Sequence, residues 1–282
     1  MLRKGIALAA LGFAIVAGPA MASSASHEEP KHVEYSFEGP LGKFDAAQLQ
    51  RGYKVYREVC SACHSMNLMY FRNLGQKGGP FYDAKYKNPN DNPYVKSIAA
   101  EYQVSDIDTE TGDVVQRPGT PADKFPAPFP NEYAARASNG GALPPDLSVI
   151  IKARHHGPQY VYSLLSGFKD PPAGLKAGPT QHYNPYFAGD LTPFWSGPHD
   201  KVPKGGFIAM APPLAPDKVT FDDGTKSTVE NQAKDVVTFL AWASEPKMEE
   251  RKSFGLGAMI YLLILAGIVY ASYRKIWKNI AH

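Results

Sequence analysis

The chain has 282 residues, of which 44% are hydrophobic and 20% are charged, so it can bury one or two hydrophobic cores and is not a disordered tail. Residues 23–250, which lie between two apolar segments, carry 23 basic and 27 acidic side chains, and this net charge of −4 gives nucleic-acid binding no support. Twenty-five prolines and 25 glycines predict long irregular loops, modest helix content and little regular sheet, and we predict the fold class to be mainly α with long irregular loops.

The first apolar segment has the pattern of a secretory signal peptide. Arg3 and Lys4 precede an uncharged apolar run over residues 5–17, and Ala20-Met21-Ala22 supplies the small-x-small pattern of a cleavage site. The run is short for a membrane span, and an uncleaved anchor is the alternative. We therefore predict a signal peptide over residues 1–22 and export of the chain that follows.

The second apolar segment, Ser253 to Tyr273, is uncharged. As a helix it is long enough to cross a bilayer once, because about 20 residues at a rise of about 1.5 Å span the hydrocarbon core. We assign residues 251–274 to a transmembrane anchor and residues 275–282 to a short cytoplasmic tail. Lys275 and Lys278 favour this orientation under the positive-inside rule. A buried core helix is the competing interpretation, and it is less favoured because little follows for it to pack against.

Two amphipathic helices are predicted near the ends of the exported part. The first has Asp45 as its N-cap and apolar or small residues at helical spacing: Leu49, Gly52, Tyr53, Tyr56 and Val59. The second covers Val229 to Ser244 with a stripe at Ala233, Val236, Val237, Leu240 and Trp242. We expect the two helices to pack together, with Gly52 permitting close backbone approach where they cross.

The pattern Cys60-Ser61-Ala62-Cys63-His64, called the haem motif below, predicts covalent attachment of one c-type haem. On a helical turn the two cysteines point the same way and each can bond a vinyl group, and His64 becomes an axial iron ligand. A zinc site and a thioredoxin-like thiol pair also contain Cys-x-x-Cys. Both are disfavoured, because the chain has only these two cysteines, no clustered histidine ligands and no strand–helix unit before the motif.

Covalent attachment leaves the sixth iron position open to methionine, to histidine or to no protein ligand. Met210 is the best-placed methionine of the seven, because the others lie in the signal peptide, close to His64 in sequence, or at the anchor. Glycines and prolines around Met210 restrict its segment. The alternative ligands are His155, His156, His182 and His199. Arg154, with Tyr160 close behind, is a candidate partner for the negatively charged haem propionates.

Two segments rich in Pro, Gly, Asn and Asp, residues 76–145 and 169–206, are predicted to form long insertions that wrap the haem. The first insertion contains an acidic run at Asp106, Asp108, Glu110 and Asp113. Such a run steers basic partners toward a protein at rates that fall as salt rises. A solvated surface without a partner is the alternative interpretation of the run.

Several further segments resemble the cytochrome c1 family, the membrane-anchored haem subunits of cytochrome bc1 complexes. They follow one another over most of residues 35–275: Arg51 to Tyr56, Asn139 to Ser148, Lys152 to His155, Asn184 to Phe187, Ala209 to Leu214 and Trp242 to Pro246. The resemblance implies a class I cytochrome c-like haem domain over residues 23–250 plus one C-terminal transmembrane helix. It also implies a set of site residues: thioether links at Cys60 and Cys63, axial ligation by His64 and Met210, and a propionate contact by Arg154 with Tyr160 nearby.

The resemblance further implies a place in electron transport. A subunit of this kind accepts an electron from the Rieske iron–sulfur protein and passes it to a soluble c-type cytochrome, within a ubiquinol–cytochrome c reductase that also contains cytochrome b. It is an electron carrier without a substrate-binding catalytic site of its own. The expected location is the bacterial inner membrane, with one membrane pass and the haem domain in the periplasm.

Two other functions stay open at this point. One is a stand-alone membrane-anchored cytochrome that feeds an oxidase, and the other is an exported thiol–disulfide oxidoreductase that uses Cys60 and Cys63. Some bacterial members of the family have an additional cysteine pair in the insertion before the methionine. This chain lacks that pair, so we expect packing and prolines to hold the segment of Met210.

Overall fold

The structure is a computed structural model that describes residues 27–278, so the predicted signal peptide and residues 279–282 of the predicted tail lie outside it. The described α-helices are α1 (Ala46–Glu58), α2 (Pro93–Ala100), α3 (Glu132–Ser138), α4 (Gly157–Ser166), α5 (Val229–Ser244) and α6 (Met248–Trp277). The strands are β1 (Gln103–Ile107), β2 (Val114–Pro118), β3 (His182–Asn184) and β4 (Gly206–Ile208). The predicted fold class, mainly helical with long loops, is confirmed.

Both predicted amphipathic helices are present, and they form the central crossing of the domain. Helix α1 begins after Asp45, whose carboxylate accepts a hydrogen bond from the Gln48 amide at 2.7 Å. Gly52 lies where α1 meets α5, and a Cβ added there would be only 2.1 Å from the backbone oxygen of Asp235. The expectation that Gly52 permits this close crossing is confirmed.

An ion-pair network ties the same crossing together. Arg51 of α1 donates from Nε to Asp235 of α5 at 2.7 Å and from Nη1 to Asp223 at 2.6 Å. The Asp235 side chain is 4% exposed. Burial raises the pKa of Asp235, whereas the hydrogen bond and the positive charge of Arg51 act in the opposite direction. Arg51 therefore supplies the partner that a buried carboxylate needs.

Aromatic side chains fill the core between α1 and α5 beside this crossing. Tyr53 and Tyr56 of α1 both lie 5.6 Å, centroid to centroid, from the ring of Phe239 in α5, which in turn contacts Trp242. Phe239 and Trp242 are fully buried. The haem motif therefore follows a helix whose last two turns are fixed by the core.

The small sheets lie in the two predicted insertions and at the end of the second one. In the first, β1 and β2 pair antiparallel, from Gln103 opposite Pro118 to Ile107 opposite Val114. In the second, β3 pairs antiparallel with β4, which begins at the last residue of the predicted insertion, and this pairing brings the strand before Met210 into register with His182–Asn184. The second insertion has its own small hydrophobic cluster, built on Leu175, Tyr183 and Leu191.

Helix α6 has 30 residues and is the one helix in the described part of the chain that is long and apolar enough to cross a membrane. It begins three residues before the predicted anchor, at Met248, which is buried against the domain. Its apolar residues from Phe254 onward are largely exposed. The helix is therefore both part of the folded domain, through its first turn, and a candidate membrane span beyond it.

Candidate functional site: the haem motif and its surroundings

The haem motif forms a tight turn at the C-terminal end of α1. Residues 60–62 are one turn of 3₁₀ helix, and the amides of Cys63 and His64 donate to the carbonyl oxygen of Cys60 at 3.1 and 2.9 Å. The two cysteines are unpaired; Cys60 is half-buried and Cys63 is exposed. Their separation of one helical turn places both sulfurs on one side of the turn, as attachment to a single planar group requires.

The imidazole of His64 is held by a backbone carbonyl from a distant part of the chain. Its Nδ1 lies 2.8 Å from the oxygen of Pro145, and because that oxygen can only accept, Nδ1 carries the proton. Burial lowers the pKa of His64, and the hydrogen bond to Pro145 only partly opposes this effect. The neutral ring is thus fixed as the tautomer whose Nε2 lone pair is available to a metal ion.

A short network aligns the segment of Pro145 with the haem motif. The amide of Leu147 donates to the carbonyl of Ser65 at 2.9 Å, and Asp146 accepts from the hydroxyl of Ser65 and the amide of Asn67, both at 2.8 Å. Desolvation would raise the pKa of Asp146, but hydrogen bonds from Ser148, Asn67 and Ser65 lower it overall. These contacts fix the position of the carbonyl that orients His64.

Sequence reasoning did not find Pro145 and Asp146 as parts of this site. Both occur in a segment that supports the family resemblance, but no role was assigned to either residue. Gly140 and Gly141, near the start of the same segment, have φ values of +61° and +90°, so they form a turn just before its two prolines. The pair of glycines followed by two prolines was the available signal, because it predicts a rigid segment placed by a turn.

Met210 is partly buried and follows β4 by two residues. The other described methionines are placed differently: Met66, Met69 and Met248 are buried in the core, and Met259 is 63% exposed on α6. Of the methionines in residues 27–278, Met210 is thus the one that lies neither in the buried core nor on the exposed part of α6. Its role as ligand stays a prediction.

The strand before Met210 is held closely by its neighbour. Gly205 has a φ of +109°, and a Cβ there would be 2.5 Å from the backbone oxygen of Asn184 in β3. The side-chain amide of Asn184, which is fully buried, donates to the carbonyl of Leu164 in α4 at 2.8 Å. The Tyr183 hydroxyl donates to the carbonyl of Lys204 at 2.7 Å. Backbone packing and these two hydrogen bonds thus fix the start of the methionine segment, as expected without a disulfide.

Arg154 and Tyr160 lie close enough to interact electrostatically. Arg154 is exposed and donates to the carbonyl of Ala153 at 3.1 Å. Burial raises the pKa of half-buried Tyr160, and the charge of Arg154 opposes the rise. An exposed guanidinium beside a tyrosine suits a negatively charged group, but the contact of these residues with a propionate stays a prediction.

The thiol of Cys60 does not have the properties of a redox nucleophile. Burial raises its pKa to about 12, with a further contribution from Cys63, whereas Lys218 acts in the opposite direction. Reactive thiols in oxidoreductases have lowered pKa values, because the thiolate is the attacking form. The environment of Cys60 therefore disfavours the thiol–disulfide alternative.

A cavity of about 580 Å³ lies between the C-terminal end of α4, β3 and the segment after Met210. Its lining includes Leu165, Lys169, His182, Pro212 and Glu230. None of the six predicted site residues lines it. The predicted haem site therefore depends on its donor atoms and not on this cavity. Two unpaired thiols, a neutral imidazole with Nε2 available and a partly exposed thioether form a donor set that fits a covalently attached haem.

Comparison with known proteins gives a consistent result. The model of the cytochrome C1 family matches residues 35–280. Cytochrome c1 of Rhodospirillum rubrum is 36% identical, over 98% of this chain and 97% of the relative. The mitochondrial haem protein cytochrome c1 1 of Arabidopsis thaliana is 42% identical, over 96% of this chain and 81% of the relative. Cytochrome b/c1 of Bradyrhizobium diazoefficiens is 39% identical over 98% of this chain, which spans only 41% of that relative.

Proposed function

Because the chain belongs to the cytochrome c1 family, we propose that it is the haem subunit of a cytochrome bc1 complex. In this role it accepts an electron from the Rieske iron–sulfur protein and passes it to a soluble c-type cytochrome. The chain contributes to ubiquinol–cytochrome c reductase activity as a carrier, without a substrate-binding catalytic site of its own.

The prosthetic group is one covalently attached haem c, and when bound it supplies one-electron chemistry. Cys60 and Cys63 would form the thioether links, and His64 and Met210 would be the axial ligands. Arg154, with Tyr160 beside it, would contact a propionate. His64 and Met210 would together leave no iron position open to a substrate, and the chemistry that the haem would supply is then outer-sphere electron transfer.

The hydrogen bond from His64 to the Pro145 carbonyl, at 2.8 Å, is the observation that carries this proposal. It fixes the tautomer and the orientation of a histidine that directly follows two unpaired cysteines. A histidine with a merely structural role would not need Nε2 kept free. In the described part of the chain, Nε2 of His64 has no hydrogen-bond partner.

The ligand assignment is tested by replacing Met210 with leucine. The thioether links do not depend on this residue, so the variant should retain covalent haem. Its midpoint potential should fall sharply, because methionine ligation raises the potential of a c-type haem. The matched control is Met259→Leu on the exposed surface of α6, which should leave the potential unchanged. An unchanged redox titration of the Met210 variant would remove Met210 from the ligand role.

The acidic hairpin, which comprises β1, β2 and the turn between them, is the surface that we propose for docking of the soluble cytochrome. Asp106 is neutralised by Arg117, but Asp108, Glu110 and Asp113 form no ion pair within residues 27–278. The base of the hairpin lies near the haem motif, since Glu101 pairs with Arg57 at the end of α1. The unpaired carboxylates lie at the opposite end of the hairpin, about 17 Å of strand from this base, where negative charge would attract and orient a basic partner that approaches the haem motif.

Salt dependence tests the docking surface. Reduction of the soluble cytochrome should slow as ionic strength rises, and replacing both Glu110 and Asp113 by their amides should flatten this dependence. Glu250→Gln, which removes an exposed carboxylate at the membrane end of the domain, is the control and should not change it. A rate for the unmodified protein that is flat across ionic strength would contradict docking through the hairpin.

The complex and its location form the last part of the proposal. The relative named cytochrome b/c1 supports cytochrome b as a partner, and α6 supports a single-pass anchor in the bilayer. We propose the bacterial inner membrane, with residues 23–250 in the periplasm and residues 275–282 in the cytoplasm. Purification in mild detergent should yield cytochrome b and the Rieske protein with this chain. Isolation of the chain alone, with haem and without these partners, would favour the stand-alone carrier instead.

A further inference from the structure

Residues 36–44, called the interface loop below, leave the domain and return to it beside α6. The amide of Lys43 donates to the carbonyl of Ser36 at 2.9 Å and closes the loop. The rings of Phe37 and Phe44 pack at 5.0 Å and anchor its two ends, and Phe37 is 6% exposed. The loop therefore has a fixed base, and only its tip, residues 39–41, extends beyond this base.

Helix α6 holds this loop at two levels. The amide of Phe44 donates to the carboxylate of Glu249 at 2.9 Å. One turn further along, Lys252 Nζ donates to the carbonyl oxygen of Phe37 at 2.6 Å and lies 3.4 Å from that of Gly42. Residues 249 and 252 are separated by about 4.5 Å along a helix axis. From Phe44 back to Gly42, the loop thus runs along α6 toward its membrane-spanning part.

The tip of the loop is apolar and exposed. Leu41 is 72% exposed, and residues 39–41, Gly-Pro-Leu, carry no charge. Phe254, the first large apolar residue of the candidate span, is 80% exposed and lies only about 3 Å of helix rise beyond Lys252. Leu41 thus precedes Gly42, whose carbonyl lies near Lys252, and Phe254 lies at nearly the same level along α6 but on another side of the helix, because residues i and i+2 do not face each other. Both exposed apolar side chains are therefore at the level where the aqueous domain meets the span.

We propose that the interface loop is a second membrane contact, in which Leu41 enters the lipid surface beside α6. A lipid surface is the occupant that the structure favours, because the exposed, uncharged tip lies at the level where α6 becomes apolar and exposed, and Lys252 is placed to remain at the polar boundary. With one helix as its single membrane contact, the domain could rotate about the point where it joins α6. A second contact would fix the tilt of the domain relative to the membrane. This inference depends on the proposed anchoring by α6 and not on electron transfer.

The test uses the full chain with haem attached, because Cys60 and Cys63 are then consumed and a new cysteine is the single free thiol. Leu41→Cys is labelled with a nitroxide in vesicles of phosphatidylcholine and phosphatidylglycerol. Collisions with lipid-soluble oxygen and with a neutral, water-soluble nickel chelate are compared by electron paramagnetic resonance. Val114→Cys, at 73% exposure on the acidic hairpin, is the aqueous control, and Phe254→Cys is the lipid control.

The label at residue 41 should resemble the label at 254, with high oxygen and low chelate accessibility. Adding Lys252→Met should release the loop and sharpen the spectrum at residue 41. Chelate accessibility equal to that of residue 114 would overturn the proposal, and so would shielding from both reagents, which indicates a protein contact. If residue 254 itself behaves as aqueous, the membrane anchor fails together with the loop. The haem spectrum and redox titration of the same sample report separately on the haem assignment.

Discussion

The crossing of α1 and α5 can be tested by a single added methyl group, in Gly52→Ala. The new Cβ would lie 2.1 Å from the backbone oxygen of Asp235, 2.7 Å from its carbonyl carbon and 2.8 Å from Cβ of Phe239. Ordinary contact begins at 3.4 Å, so the two helices would have to separate by about 1 Å or more. The haem motif lies at the end of the helix that would move.

The change in the free energy of unfolding caused by Gly52→Ala has two opposing contributions, helix propensity and overpacking. Alanine is favoured over glycine inside a helix by about 1 kcal/mol. Overpacking a well-packed core costs about 1–3 kcal/mol and occasionally more. Two of the three obstructing atoms belong to the backbone and cannot rotate away, so the cost should lie at or above the top of that range. We expect Gly52→Ala to lower the free energy of unfolding by about 2 kcal/mol or more.

Denaturant unfolding of the detergent-solubilised full chain, followed by far-ultraviolet circular dichroism, measures this loss. Gly257→Ala in α6 is the matched control, because it makes the same helical substitution with nothing within 4 Å of the added carbon. It should be neutral or slightly stabilising. A Gly52→Ala protein as stable as the parent would refute the inferred close approach, since the propensity term alone predicts a gain.

Two further substitutions test the ion pair and the histidine support. Arg51→Met should cost about 3–5 kcal/mol at neutral pH by leaving a buried carboxylate unpaired. The deficit should shrink on acidification: burial raises the pKa of Asp235, so the folded variant takes up a proton there before the unfolded chain does. Urea titrations across pH would show this, and a deficit independent of pH would contradict it. Asp146→Asn should cost about 1–3 kcal/mol, because donors that now meet a carboxylate would face an amide group. Thermal unfolding of the haem-loaded protein checks that loss. A variant that melts at the same temperature as the parent protein would contradict the role of Asp146.

The parts of the fold that sequence reasoning predicted are those with short-range signals. Helix α5 has the predicted bounds, Val229 to Ser244, because its apolar stripe and the proline after it lie within one segment. The N-cap Asp45 and the glycine at the crossing were identified for the same reason. The haem motif is local as well, and Met210 was reached by eliminating six other methionines.

The contacts that sequence reasoning did not predict are made to backbone atoms that are far away in sequence. His64 is oriented by a carbonyl 81 residues away, and Lys252 binds a carbonyl 215 residues away. Every residue has a carbonyl group, so residue identity carries no signal for these contacts. The start of α6 shows a related difference: hydropathy detects the lipid-facing part, whereas the helix begins earlier, with Glu249 and Glu250 in its first turn.

These distant contacts explain how the redox centre can be rigid in a chain with so many loops. The Pro145 segment is bound at His64, Ser65 and Asn67, so the loop that contains it has little freedom where it contacts the haem motif. In the proposed role of His64 as an iron ligand, an imidazole held in one orientation would add little reorganisation to electron transfer, because its hydrogen bond is already in place. Loops far from such contacts, including the acidic hairpin, can vary in charge without disturbing the ligands. In the proposed function, the fold thus separates the residues that would hold the haem from the hairpin that would bind the soluble partner.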